Sequence, residues 1–322
     1  METVAHLNPP ARHLGTVNAV MGSAGVGRHF VSDFTGPLSI KFMVRGSGTW
    51  RSDAGVHHVE EGYFLVLNHG QTYSLEIEGH LPRESFCPFF RRGFVEDIHR
   101  ALTTSTDALL DDPDAALRPV DFHAHLHPED ARVVPRLLEL RDLMYGGAAG
   151  SIELEDAFVK LGLALLAHAG SDLSAQINRV PASRSSTRAE CHRRVARARD
   201  HLHARAHERL TLDDLAAHAC LSPYHFHRQF TAIHGLTPQR YLTRLRLERA
   251  CRLLRDSDLP ITRIAQDVGF GSPASFSRRF TSTLGTSPVR HRAELRKNGK
   301  APGAADPAYW RRLTSEWEPS CV

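Results

Sequence analysis

Residues 222–231, Ser-Pro-Tyr-His-Phe-His-Arg-Gln-Phe-Thr, return fifty positions later as residues 272–281, Ser-Pro-Ala-Ser-Phe-Ser-Arg-Arg-Phe-Thr. The register holds downstream, where Gly235, Pro238 and Arg240 meet Gly285, Pro288 and Arg290. So many coincidences at one offset argue for a duplicated supersecondary unit rather than chance.

Each copy has the layout of a helix-turn-helix. In the first, Thr211 and Asp214 suit a capping box, and Leu212, Leu215 and Ala219 give the helix that follows a buried side. The turn passes through Cys220-Leu221, after which Ser222 serves as N-cap and Pro223 as first helical residue, where a missing N–H costs nothing. Phe226, Phe230 and Ile233 share one face and are expected in the core, leaving Tyr224, His227 and Arg228 outward in the first turns. The second copy repeats this with Ile261, Ile264, Ala265 and Val268, a turn at Gly269–Gly271, Ser272 and Pro273, Phe276 and Phe280 inward, and Ser275, Ser277 and Arg278 outward. The N-terminal part of a second helix is where such a unit carries side chains that read base edges in a major groove. Between the copies, Thr237-Pro238 opens a longer arginine-rich helix that sets the spacing of the two units.

The span from about Cys191 to Arg292 resembles the AraC-type DNA-binding domain. The resemblance rests on Leu215-Ala216, Leu221-Ser222, Phe226, Arg228, Phe230 and Gly235…Pro238 in the first unit. In the second it rests on Ile264-Ala265, Val268-Gly269-Phe270, Ser275, Phe276, Arg278, Phe280 and Gly285…Pro288. Two positions depart from the pattern: Cys220 stands where glycine is frequent, and His291 where the family has tyrosine. The resemblance implies a sequence-specific transcription regulator, an activator or a repressor. Its partners would be promoter DNA, contacted in the major groove through Tyr224, His227, Arg228, Ser275, Ser277 and Arg278, and RNA polymerase.

Charge segregation agrees with this division. Residues 181–299 hold 22 Arg and Lys against 10 Asp and Glu, leaving 18 against 26 for the rest of a chain whose formal net charge is +4. A basic C-terminal third and an acidic remainder face different partners. The chain shows no apolar run long enough to span a bilayer and no signal-peptide pattern at its start, so the expectation is a cytoplasmic protein without membrane contact. Five scattered cysteines, Cys87, Cys191, Cys220, Cys251 and Cys321, form no CxxC pair and read as free thiols.

Upstream, apolar–polar alternation predicts strands at Gly27–Phe34, Leu38–Val44, Tyr63–Leu67 and Thr72–Ile77, separated by glycines. From about Arg92 the period becomes helical, through Phe94, Ile98 and Leu102, then Val134, Leu137, Leu138 and Met144, then Leu154, Phe158, Leu161 and Leu165. The last stripe suits either a core face or a homodimer seam. Phe42, Trp50, Phe64, Leu67 and Tyr73 are candidates for a barrel interior, as effector pocket or as core. This half resembles the cupin-like sensor domains that precede AraC-type modules. The metal-binding spacing of enzymatic cupins is missing around His57-His58-Val-Glu60-Glu61, so no cofactor, metal or catalytic residue is expected. His123, His125 and His127 alternate as three imidazoles on one side of a strand would, and the reading preferred is a solvated histidine-rich loop.

The expected fold class is α+β: an N-terminal cupin-like β-barrel with helices over residues 1–180, a linker at 181–188, an all-α domain of two helix-turn-helix units joined by a helix over 189–297, and a loose tail at 298–322. The N-terminal domain is expected to sense a small-molecule effector or to form a homodimer through its helices. Two readings stand beside this one: a cupin-type metalloenzyme carrying a DNA-binding module, and a ligand-independent regulator.

Overall fold

The structure, a computed structural model, describes residues 4–8, 14–77, 81–112, 116–128, 130–147, 152–181 and 185–297. The chain divides into two compact units, residues 1–196 and 197–322.

The N-terminal unit is built on ten described strands: β1 (Val4–Asn8), β2 (Ala19–Gly25), β3 (His29–Thr35), β4 (Ser39–Arg45), β5 (Ser47–Ser52), β6 (Gly55–Glu60), β7 (Tyr63–Leu67), β8 (Thr72–Ile77), β9 (Arg83–Phe89) and β10 (Leu126–Pro128). They form two antiparallel sheets, a six-stranded one in the order β1-β2-β9-β4-β7-β10 and a four-stranded one in the order β3-β8-β5-β6. Trp50, Val59, Tyr73, Leu75 and Ile77 of the smaller sheet share one core with Met43, Leu65, Leu67, Cys87 and Phe89 of the larger. The larger sheet is buried on both faces, which is why β7 reads Tyr-Phe-Leu-Val-Leu without a polar position. Alternate residues of its strands, Ile40, Phe42, Phe64, Val66 and Phe86, face helices instead. Phe42 and Phe64, expected inside the barrel, therefore lie on its outer face, because β4 and β7 place them one residue out of step with Met43 and Leu65.

Helices α1 (Phe94–Thr103), α2 (Thr106–Asp111), α3 (Val133–Tyr145), α4 (Ile152–Arg179) and α5 (Ser185–Ala204) follow the strands, β10 lying between α2 and α3. Phe158, Leu161 and Leu165 of α4 are at most 1% exposed and pack with Val95 and Leu137 against the sheet. Each such side chain contributes about 1.5–3 kcal/mol by burial. The Leu154–Leu165 stripe is therefore core, and among the described side chains the large apolar residues that α4 leaves outside are Ile152, Val159 and Leu163. Leu102, expected on the core side of α1, is 62% exposed.

Residues 185–188, placed in the linker by composition, are the first turn of α5, and the division between units falls within that helix, at Ala196/Arg197. The tail at 298–322, with Cys321, lies outside the described residues.

The C-terminal unit holds the end of α5 and α6 (Leu212–His218), α7 (Pro223–His234), α8 (Pro238–Asp256), α9 (Ile261–Asp267), α10 (Pro273–Leu284) and α11 (Pro288–Lys297). Helix α8 has 19 residues and a rise of roughly 28 Å. Its Leu247, Ala250, Cys251 and Leu254 close the second copy's core with Ile264, Val268, Phe276 and Phe280. Its arginines are mostly occupied within the unit. Arg246 donates to the carbonyls of Ala206 and Glu208, at 2.7 and 2.6 Å, and Arg249 to that of His203, at 2.5 Å, so cations take up carbonyls at and beyond the C-terminal end of α5. The expected architecture, an antiparallel β domain with helices followed by a helical domain, is the one observed.

Candidate nucleic-acid interface

The two helix-turn-helix units are fixed by the caps that their sequences spell. Thr211 Oγ1 accepts from the Asp214 backbone N–H at 3.1 Å, while the Asp214 carboxylate accepts from the Thr211 N–H at 2.9 Å. The Thr211 hydroxyl also donates to that carboxylate, at 2.7 Å, and together with the Thr211 N–H it holds the Asp214 carboxyl below its ordinary range. Ser222 and Ser272 accept from the N–H groups of His225 and Ser275, at 3.4 and 3.2 Å, and Pro223 and Pro273 occupy the first helical positions. Gly235 and Gly285 end α7 and α10 at φ 70°, the left-handed conformation that closes a helix.

The turns show where the copies differ. After α6 the left-handed residue is Cys220, at φ 52°; after α9 it is Gly269, at φ 92°. Leu221 N–H bonds to the Ala216 carbonyl and Phe270 N–H to the Ala265 carbonyl, so the offset is 49 up to this point and 50 beyond it. Gly271 is thus the extra residue of the second turn.

In α7, Phe226, Phe230 and Ile233 are buried, as expected. Tyr224, His227 and Arg228 are exposed, Tyr224 by 70%. At roughly 100° per residue, Tyr224 and Arg228 point opposite the phenylalanines and His227 lies on a flank. In α10, Phe276 and Phe280 are buried, Ser275 and Arg278 are exposed, and Ser277 is half-buried. Ser275 Oγ donates to the Ser272 carbonyl at 2.8 Å, so its proton is engaged and only its lone pairs face outward. Arg279, next to Arg278, is also exposed. Its counterpart in the first copy, Gln229, lies on the buried side of α7, so the repeat by itself does not mark position 279 as outward. Asymmetry within a repeat was the available signal.

Among the described residues, the side chains of Arg228, Arg278 and Arg279 have no ion-pair partner. Several other arginines of the unit do have one: Arg244 with Glu248, Arg255 with Asp256, Arg263 with Asp267, Arg290 with Glu294. Three cations held outward near the N-terminal halves of two capped helices form a surface suited to phosphates and base edges.

The remaining departure from the family pattern is structural. His291 occupies in the second copy the place of Tyr241 in the first. Tyr241 meets Phe230 edge-on, with ring centroids 5.4 Å apart, and His291 meets Phe280 in the same way at 5.5 Å. Burial pushes the His291 imidazole below its ordinary pKa, keeping it a neutral aromatic plate.

In the N-terminal unit the histidine-rich segment is more ordered than a solvated loop. His127 lies on β10, its Nδ1 is 2.9 Å from His168 Nε2, and its ring stacks on Phe64. His168 Nδ1 is in turn 3.1 Å from the Asp130 carboxylate. Burial alone would raise the Asp130 carboxyl; hydrogen bonds from Arg132 and His168 hold it well below the ordinary range. Among the described residues no three metal-ligating side chains are brought to a metal-holding arrangement. No helix of the described residues is long and apolar enough to cross a membrane.

Residues 215–294 match the family described as a helix-turn-helix domain. The chain is 41% identical over 99 residues to the MmsAB operon regulatory protein of Pseudomonas aeruginosa, covering 31% of each chain. It is 44% identical over 81 residues to the transcriptional activator RhaS of Escherichia fergusonii, covering 25% of this chain and 29% of that one. The matched region spans about a third of the length of these curated relatives. Among solved structures, the DNA-binding domain of AdpA in complex with a target DNA aligns at 33% identity and TM-score 0.32, over 32% of this chain and 94% of that one. ToxT of Vibrio cholerae O395 aligns at 10% identity and TM-score 0.33, over 87% and 98%. By its duplicated, capped and phenylalanine-packed units and by the family match over residues 215–294, the C-terminal unit of this chain is a double helix-turn-helix domain, similar to the AraC-type one.

Proposed function

We propose that the chain is a sequence-specific DNA-binding transcription regulator whose N-terminal unit adjusts DNA binding in response to a small-molecule effector. The observation that carries the reading is the pair of outward faces on α7 and α10, each carrying an arginine free of internal partners among the described residues, Arg228 and Arg278. Tyr224, His227, Ser275, Ser277 and Arg279 complete the proposed contact set, with Tyr224 and His227 offering base or sugar contacts, Ser277 donating to a phosphate, and Ser275, whose proton is engaged, accepting from a base amino group. The function requires no catalysis and no cofactor. Relatives named as an operon regulator and as a transcriptional activator support placing RNA polymerase among the partners and an activating role. A homodimer through the N-terminal helices would use the outer residues of α4, Ile152, Val159 and Leu163, because the inner stripe is consumed by the core.

The test is genome-wide DNA capture with the full chain and with an Arg228→Ala, Arg278→Ala double variant. Discrete sites near promoters, lost in the double variant while its thermal stability is retained, are the expected result. Capture of the same sites by the variant would remove the assignment of these faces.

A further inference from the structure

The turn between α5 and α6 is held more firmly than a connection requires. Where it leaves α5, His203 Nε2 lies 3.0 Å from Tyr241 Oη, and the His203 carbonyl accepts from Arg249 of α8. Farther along, the Arg246 guanidinium donates to the carbonyls of both Ala206 and Glu208, at 2.7 and 2.6 Å. The same turn also meets the second copy. The His207 backbone lies so close to Gly269 that a Cβ there would stand 2.6 Å from the His207 carbonyl oxygen and 2.9 Å from its Cα.

Arg246 joins the two sides of this contact. The guanidinium that binds the carbonyls lies 5.9 Å from the centroid of the Phe270 ring, within cation–π reach. Phe270 in turn meets Phe276, the first buried ring of α10, edge-on with centroids 5.3 Å apart. A contiguous path therefore runs from the segment that leads into the first copy, through one side chain, to the outward-facing helix of the second. A planar fork of donors can serve two carbonyls while its face stays against a ring, which a lysine ammonium cannot do.

Comparison of the copies sets this contact apart from the general plan. Arg296, fifty positions after Arg246, pairs with the Asp258 carboxylate, and Arg292 donates to the Leu259 carbonyl, so the turn leading into α9 is also held by arginines. That pair lies at the surface, however, with the Arg296 side chain 60% exposed, whereas Arg246 is half-buried. The turn residues differ in step. Gly269 admits the His207 backbone because it has no Cβ, while its counterpart in the first copy, Cys220, carries one and is exposed.

Resting on the DNA-reading proposal above, we infer that Arg246 is a positioning residue that holds α7 and α10 at one separation, so that the chain accepts its two DNA words at one spacing only. Helix α8 by itself joins the copies through a single rod, whose bending would let the second copy follow a displaced word. The turn at 203–208, fastened to α8 by Arg246 and seated on Gly269 and Phe270, is a second strut beside the rod. Each inserted base pair moves the second word by roughly 3.4 Å and turns it by roughly 35° about the duplex axis, and a braced pair of helices cannot follow both changes.

The experiment begins with DNA sites selected from a random-sequence pool by the native full chain. Affinities are then measured for a selected site, for the same site with one base pair inserted between its two words, and for a fragment carrying the first word alone. Native protein is compared with Arg246→Met, which keeps an apolar stem and removes the donors. Arg246→Gln, which keeps a polar group at this half-buried place, is read in the same way if the methionine variant melts below the assay temperature. For native protein the insertion should weaken binding about tenfold or more, comparable to the loss of a well-made base contact. For the variant the same insertion should cost about threefold or less, with the first word alone bound as well as by native protein. A variant that binds every fragment more weakly, the single word included, and keeps the native penalty for the insertion shows a merely structural arginine and overturns the inference. A native chain indifferent to the insertion overturns it too, and leaves DNA reading intact. Failure of the native chain to select any sequence removes the DNA-reading proposal itself, and this inference with it.

Discussion

Cys220 holds a left-handed backbone that side chains with a Cβ adopt only at a cost, at a position where the second copy uses glycine. Cys220→Gly is expected to stabilise the C-terminal unit by up to about 1 kcal/mol, read as a raised denaturant midpoint, the relief of strain being partly offset by the extra freedom glycine gives the unfolded chain. The converse change is severe. A Cβ at Gly269 would sit 2.6 Å from the His207 carbonyl oxygen, so Gly269→Ala should lower the midpoint well beyond the cost of strain alone. His291 adds a pH dependence. Its folded pKa is depressed by burial, so its contribution is complete above its ordinary value of 6.5 and is lost as pH falls through the folded one. His291→Tyr should reduce the fall in melting temperature between pH 7.5 and 5.5, and an unchanged fall would reassign the effect to other histidines such as His201 and His218, which burial also depresses.

At the scale of elements, the segments legible in the sequence were those whose geometry follows from local chemistry. Ser-Pro openings, the Thr211–Asp214 box and the phenylalanine spacing gave α6, α7, α9 and α10 with their faces. The four strands with strong alternation were found within two residues at each end. Strands β2 and β9 were not, because Ala-Val-Met-Gly-Ser-Ala-Gly ends in a run of small residues and Arg-Glu-Ser-Phe-Cys-Pro-Phe contains a proline, and it is pairing with each other and with β1 and β4 that makes them strands. The histidine segment was misread for a similar reason: its partner, His168, lies on α4, 41 positions from His127. Asp130→Asn tests that relay. Losing charge-assisted bonds to Arg132 and His168 should cost about 1.5–3 kcal/mol of N-terminal unit stability at neutral pH. The carboxylate is held low in the folded state, so native protein should lose this advantage over the variant only in strong acid.

For the whole molecule, charge counting pointed to the correct third of the chain but overstated how many cations are available outside it. Arg246 and Arg249 serve carbonyls at the end of α5, and Arg292 donates to the Leu259 carbonyl at 2.6 Å. The salt dependence of DNA binding should therefore be shallower than the excess of basic residues suggests, and its log–log slope should fall by about one for each phosphate contact removed. Arg228→Ala or Arg278→Ala should weaken specific binding by about 1–3 kcal/mol if a base contact is lost, or reduce the slope with little change in sequence preference if a phosphate contact is lost. Titrating operator and random DNA from low to moderate salt separates the two.

The two copies follow one another along the chain and offer different side chains: Tyr224 and His227 on the first, Ala274 and Ser277 on the second. Bound to DNA, such a domain would read two words that are neither mirror images nor synonyms, and so would read in one direction. A promoter site carried in reverse would then be a different instruction rather than the same one, and the spacing and strand on which it is written would become part of its meaning.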